Sequence, residues 1–269
     1  MSLAQRDLVD VAVRVASEAA ELARVSREAA IREVGTKSSE TDVVTAGDTA
    51  SERLVRRRLA ELRPGEPVLG EEEGGATGDS VDGLCWVVDP IDGTVNYLYG
   101  YPWYAVSLAA QVDGVSVAGA VVEPASGRCW AATRGGGATL DGVPLRVSST
   151  TRLELSLIAT GFAYRVERRR RQAAGVSQLL GRLRDIRRGG SAALDLCAVA
   201  AGWLDGFFEH GLSRWDWAAA SLIASEAGAI VRLPGGDGDG LGADLILAAT
   251  PGIAEALGTA LIDVGLAEL

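Results

Sequence analysis

Apolar residues recur at helical spacing from Leu8 to about Ile31 (Leu8, Val11, Val15, Ala19, Leu22), which predicts one long helix at the start of the chain. "TDVVT" (41–45) is a short β-prone run. Asp48 or Thr49 is placed to cap a second helix through "SERLVRRRLAEL", which Pro64-Gly65 stops. "PVLG" (67–70) reads as a strand that delivers Glu71, Glu72 and Glu73. After a Gly-rich polar loop at 74–83, "LCWVV" (84–88) is a second strand, expected to end at Asp89.

The middle of the chain is β-rich. "YAVSLAAQV", "VSVAGAVVE", "RCWAATR" and "PLRVS" are separated by Asp113-Gly114, Ser126-Gly127 and Asp141-Gly142, dipeptides that signal hairpins. "LSLIATGF" reads as a buried strand and 166–181 as an arginine-rich helix. "RDIRR" leads through Gly189-Gly190 to a helix from Ser191 to about Ala201. "GFFEHG" is strand-like, and "WDWAAASLIASEAGA" (215–229) is a helix closing at Gly228. "AIVRL", "DLILAA" and a final helix from about Gly252 complete the chain. No internal repeat is visible. The pattern predicts an α/β (α+β) fold of layered sheets and helices, one domain over 1–269 with two lobes and a soft boundary near 145–155.

Composition narrows the chemistry. Of 269 residues, 26 are basic and 36 acidic, a net charge of −10 that argues against general nucleic-acid binding. Cys85, Cys129 and Cys197 form no C-x-x-C and lie in apolar contexts, so they read as inert buried thiols of a reducing, cytoplasmic compartment. The N-terminus is amphipathic and acidic, unlike a signal peptide. No run of roughly 18 uncharged apolar residues exists, so no membrane span is expected. With a single histidine, His210, any metal site must rely on oxygen ligands, which suits magnesium, manganese or calcium.

Acids then stand out at element ends: Asp48, Glu71 and Glu72, Asp89 and Asp92, and Asp216. Taken singly, Asp48 and Asp216 read equally well as helix caps and the Glu run as a solvated loop. The turn "DPIDGT" is harder to dismiss. Pro90 fixes one dihedral, Gly93 frees another, and two carboxylates that repel are presented together. Amides after Gly93 can cradle a phosphate, and the Thr94 hydroxyl can bond a water or a phosphate oxygen. The chemistry suggested is metal-assisted hydrolysis of a phosphate monoester.

"KSSETDVVTAGD" (37–48), "GEE" (70–72), "WVVDPIDGTVNY" (86–97) and "WDWAAASLIASEAGA" resemble, in order, the signature blocks of the inositol monophosphatase family. "RRGGSAALDLCAVAAG" and "EHG" bring the texture closest to its bacterial SuhB-type members. The resemblance implies a layered α-β-α-β-α sandwich, usually dimeric and inhibited by lithium. It implies roughly two to three magnesium ions, held by Glu71, Asp89, the Ile91 carbonyl, Asp92 and Asp216. Thr94 with Asp48 would orient the attacking water, with Glu71 also in the catalytic set. The Gly93 and Thr94 amides would grip the phosphate. Asp92, Gly190, Ser191, Ala192 and Glu209 would face the inositol, and Lys37 and Glu72 would stand near the metals. Ala220 departs from the family's usual glycine.

The implied substrate is a small phosphorylated polyol, inositol 1-phosphate first. Histidinol phosphate, fructose 1,6-bisphosphate and phosphoadenosine phosphate remain alternatives. The basic island Arg165–Arg188 reads as a solvated helix face, with an RNA or transcription-complex partner as the competing, less favoured reading. "GGDGDG" (235–240) lacks the closing glutamate of a calcium loop and reads as a hairpin loop. His210 either touches substrate or packs beside the site, and Trp86, Trp215 and Trp217 are expected to pack behind ligand positions.

Overall fold

The computed structural model describes residues 3–32, 34–37, 43–75, 83–236 and 238–269. Residues 38–42 of the N-terminal block, most of the 74–83 loop and Asp237 of the "GGDGDG" run lie outside the described residues. The chain opens with α1 (Leu3–Ala30), the antiparallel pair β1 (Val34–Thr36) and β2 (Val43–Thr45), and α2 (Ala46–Leu62). β3 (Val68–Gly70), β4 (Gly74–Gly75) and β5 (Leu84–Asp92) precede the short α3 (Thr94–Tyr99). β6 (Ala105–Val112), β7 (Val115–Val122), β8 (Cys129–Thr133), β9 (Gly137–Leu140) and β10 (Val143–Pro144) follow. β3 to β10 form one sheet in the order β10-β9-β8-β7-β6-β5-β3-β4, antiparallel except between β3 and β5.

The second half holds β11 (Leu157–Thr160), α4 (Val166–Leu179), β12 (Asp185–Arg187), α5 (Ala192–Ala200), β13 (Gly206–His210), α6 (Arg214–Glu226), β14 (Ile230–Arg232), β15 (Leu245–Ala249) and α7 (Ala254–Asp263). Its strands make a second sheet, β12-β11-β13-β15-β14. Three apolar interfaces stack the layers. On one face of the large sheet, Trp86, Val88, Val106 and Leu108 meet Leu8, Ala12, Val15 and Ala19 of α1 and Val55 and Leu59 of α2. Alternate residues on the opposite face, such as Val87, Ala109 and Val121, meet α5 and α6, which also cover Phe207, Ile246 and Ala248 of the small sheet. The far face of that sheet, with Ile158, Phe208 and Leu247, is covered by Leu179 of α4 and by α7. The order is α-β-α-β-α, and each fully buried Val or Leu in these seams contributes roughly 1.5–3 kcal/mol of transfer free energy.

Several sequence expectations are corrected in detail. β5 does not stop at Asp89 but runs to Asp92, with a register break between the pairs Asp89↔Ser107 and Asp92↔Ala105, where Pro90 has no N–H for the ladder. "PLRVS" contributes only Pro144 to a strand. The cap of α2 is Thr45, not Asp48 or Thr49, and the cap of α6 is Ser213, not Asp216. Asp48 and Asp216 are instead the N3 members of two capping boxes, each returning a bond to the cap's backbone. The Asp113-Gly114 and Asp141-Gly142 turns are both left-handed at both residues, as two-residue hairpins require. Among the described residues, no helix is long and apolar enough to cross a membrane.

Candidate active site

The break in β5 builds the first part of the site. The Ile91 N–H donates to Asp89 Oδ1 at 3.0 Å and the Ser51 hydroxyl donates to the Pro90 carbonyl, so the Asp-Pro-Ile-Asp turn is tied from within and from α2. Gly93 is left-handed (φ 94°), and a Cβ there would stand 3.0 Å from the Gly190 carbonyl oxygen and 3.1 Å from that of Trp103. Only glycine fits both constraints. Asp92 Oδ2 accepts the Ser191 hydroxyl and the Ala193 N–H (2.7 Å) at the start of α5. Asp216 Oδ2 accepts the Ser213 N–H at 2.6 Å at the start of α6. Three elements thus bring Asp89, Asp92 and Asp216 together, with one oxygen from each mutually within 4.8 Å.

This grouping is electrostatically costly. Burial, then the Glu71, Asp92 and Asp216 charges, push Asp89 well above the usual carboxylate range. Asp216 is pushed up in the same way, by burial and then Asp92 and Glu71. Burial raises Asp92 to about 6, against the lowering by its Ser191 and Ala193 bonds. Among the described residues, no salt bridge reaches the three aspartates. An all-oxygen, multiply anionic donor set of this kind fits a hard divalent cation.

Glu71 and Glu72 follow β3. The Lys37 Nζ donates to Glu71 at 2.7 Å and to Glu72 at 2.6 Å, so Lys37 stands at the site, on the solvent-exposed wall of the cleft. Burial opposes the Lys37 charge, but both carboxylates outweigh it and hold its pKa up. Burial lifts Glu72 to about 7 despite that contact. Beneath this turn lies Glu52 of α2, fully buried, accepting the backbone N–H groups of Glu72 (2.8 Å) and Glu73 (3.0 Å).

Asp48 is fully buried behind Thr94. Its Oδ2 accepts the Thr45 N–H (2.7 Å) and hydroxyl (2.6 Å), while Oδ1 lies 3.1 Å from Thr94 Oγ1. Thr94 Oγ1 is also 3.1 Å from the Ile91 carbonyl, so its one proton has two available acceptors. Burial raises the Asp48 pKa in spite of the Thr45 bonds.

A cleft of about 1200 Å³ joins these groups to the substrate side. Lys37, Glu71, Asp89, Ile91, Asp92, Gly93, Thr94, Gly190, Ala192, Glu209 and Asp216 line it, whereas Asp48, Glu72 and Ser191 stand behind the wall. Glu209 lies against Gly161, where a Cβ would come within 2.1 Å of its carboxyl. Burial raises Glu209 to about 8, with Arg188 pulling the other way. His210 lines the cleft but its Nε2 is 2.6 Å from the Leu266 carbonyl. Trp86 is fully buried, and Trp215 reaches the cleft wall. Cys85 and Cys197 are buried and Cys129 half-buried, all free.

Two features escape the sequence reading. The first is the support of the Gly189–Ser191 segment. The Asn96 amide donates to the Trp103 (2.7 Å) and Gly189 (2.9 Å) carbonyls, and Trp103 Nε1 donates to Asp195 at 3.1 Å. Asn96 lies inside "WVVDPIDGTVNY", the one available signal. The second is the basic island. It is not simply a solvated face: Arg165, Arg168, Arg169, Arg171 and Arg188 line the same cleft, because α4 starts at its rim. Arg168 pairs with Asp244, and Arg171 donates to the Glu268 carbonyl.

A sequence profile described as the inositol monophosphatase family matches residues 4–264. The chain is 56% identical over 235 residues to the inositol-1-monophosphatase of Mycobacterium leprae, covering 85% of this chain and 81% of that one. It is 37% identical over 225 residues to the Nus factor SuhB of Escherichia coli K12, covering 83% and 84%. The solved structure of Mycobacterium tuberculosis SuhB superposes with a TM-score of 0.82 at 44% identity, over 96% of this chain and 97% of that one. The layered fold, the gathered carboxylates and these similarities agree: the chain belongs to the inositol monophosphatase family of phosphatases.

Proposed function

We propose that the chain hydrolyses inositol 1-phosphate to inositol and phosphate with magnesium as its cation. The family implies a divalent metal, and the observation that carries the reading is the convergence of Asp89, Asp92 and Asp216 beside Gly93, Thr94 and Glu209 in one cleft. When bound, such a cation supplies positive charge against the phosphate oxygens and makes water a competent nucleophile at neutral pH. Glu71, Asp89, the Ile91 carbonyl, Asp92 and Asp216 would hold roughly two to three ions. Thr94 Oγ1 accepts a proton from the attacking water while passing its own to Asp48 Oδ1, whose raised pKa suits an acceptor. The Gly93 and Thr94 amides hold the phosphate. Asp92, Gly190, Ala192 and Glu209 face the polyol, and Ser191 acts through Asp92. The unit that does this is the whole chain, cytoplasmic, homodimeric and lithium-sensitive. The core between the sheets, built from both halves, supports a single unit.

Phosphate release from a panel of monoesters, with magnesium and with EDTA, tests this. Inositol 1-phosphate should turn over fastest and only with magnesium; turnover that survives EDTA would refute the metal assignment. A second substrate reading rests on the arginines in the cleft, which favour a further anionic group such as the second phosphate of fructose 1,6-bisphosphate or phosphoadenosine phosphate. Faster turnover of either would select it, and histidinol phosphate completes the panel. The name of the Escherichia coli relative keeps a transcription-complex partner as a third reading, through Arg165–Arg188. It requires binding that persists in Asp89→Asn.

A further inference from the structure

Glu52 and Arg56 lie one turn apart on α2, and together they hold the turn that presents Glu71. Glu52 Oε2 accepts the Glu72 N–H and Oε1 accepts the Glu73 N–H. The Arg56 Nε donates to Glu52 Oε1 at 2.9 Å. The same guanidinium donates to the Val68 carbonyl (3.2 Å) before the turn and to the Gly74 carbonyl after it. Close approach is built in: a Cβ on Gly70 would stand 2.2 Å from Glu52 Oε1. A fully buried charge is expensive unless partnered, and here it is placed beside an already crowded set of acids. A neutral residue would spare that cost but could not accept two adjacent N–H groups through separate oxygens.

We infer that Glu52 is a positioning residue for the metal site: it fixes the Glu72–Glu73 backbone so that Glu71 is held at the wall of the cleft that it shares with Asp89. Arg56 clasps both ends of the turn and neutralises Glu52. Residues that orient a cation's ligands in this way typically change metal affinity by roughly 10–100-fold. The inference rests on the divalent-metal reading of the site.

The test is Glu52→Gln, which removes the charge and turns a donor toward one of the two N–H groups. Binding of Mn²⁺, a hard cation counted by the electron paramagnetic resonance of the free ion, is compared with wild type. The magnesium concentration for half-maximal turnover is measured alongside. The expected result is a roughly 10-fold or greater loss of Mn²⁺ affinity and a matching rise in that concentration, with turnover regained at high magnesium. Wild-type affinity in the folded variant would overturn the inference and leave a purely structural ion pair. If Glu52→Gln does not fold, Arg56→Gln replaces it, with weakened Mn²⁺ binding expected and unchanged binding overturning the inference. Failure of the wild type itself to bind Mn²⁺ would remove the metal reading and this inference together.

Discussion

Ser191 and Asp92 are 99 positions apart, yet the hydroxyl that caps α5 also donates to the carboxylate that ends β5. One oxygen of Asp92 is thereby committed to the protein, while the residue also lines the cleft. In Asp92→Asn the carboxamide oxygen can accept the same Ser191 and Ala193 bonds. That variant should therefore fold normally while losing at least about 100-fold in turnover. Melting and initial rates measured together check this; near-normal turnover would remove Asp92 from the reactive set.

The buried acids set a pH dependence of stability in the metal-free protein. Asp92 rises to about 6 and Glu209 to about 8 in the fold, while Asp89 and Asp216 move in the same direction. A raised acid pKa means that the native state binds more protons than the unfolded chain, so its contribution is fully present below the unfolded value and lost as pH rises through the folded value. With EDTA, the melting temperature should fall between about pH 5 and pH 8. Magnesium should restore more at the upper end, where the carboxylates are ionised. Calorimetric scans across that window, with and without magnesium, decide it; a metal-free protein that gains stability over the same window would contradict the assignment.

Gly161 leaves room for Glu209. In Gly161→Ala the methyl would meet the carboxyl at 2.1 Å and displace it. Loss of one substrate hydrogen bond of about 1–1.5 kcal/mol corresponds to a KM for inositol 1-phosphate raised roughly 5- to 13-fold. The smaller change should be in kcat. Steady-state kinetics separates the two, and an unaltered KM would take Glu209 away from the substrate.

The Lys37 ammonium lies between the Glu71 and Glu72 carboxylates. Lys37→Gln should lower the metal-free melting temperature by about 2 °C, as for a partly exposed pair. It should also tighten magnesium binding, since the ammonium no longer competes. Thermal shift against magnesium concentration reads both effects. Weaker magnesium binding would mean instead that Lys37 helps to order the site.

The layers are legible in the sequence because their signals are local. Helical spacing marks α1, Asp-Gly turns mark the hairpins, and "DPIDGT" marks the site through two carboxylates no core strand needs. What stays hidden depends on contacts far apart in sequence. Glu52 and Arg56 are spaced like any exposed i,i+4 helix pair, and only the arrival of β3 buries Glu52 and half-buries Arg56. The arginines of α4 read as a solvated face because nothing local says that the helix begins at the rim of a cleft. Asp48 and Asp216 read as caps because they sit at helix starts. Thr45 and Ser213, three residues earlier, take that place and free the acids to face inward.

Those two capping boxes tie the site to the folding of its helices. Asp48 and Asp216 each commit one oxygen to the backbone of a cap residue, while Asp48 Oδ1 meets Thr94 and Asp216 joins the carboxylate group. Fraying the first turn of α2 or α6 therefore dismantles the site, and occupying the site restrains those turns. Amide protons at the starts of α2 and α6 should then exchange with solvent more slowly once magnesium is added. The protection would arise at helix ends, while the middle of each helix is already shielded by its packing.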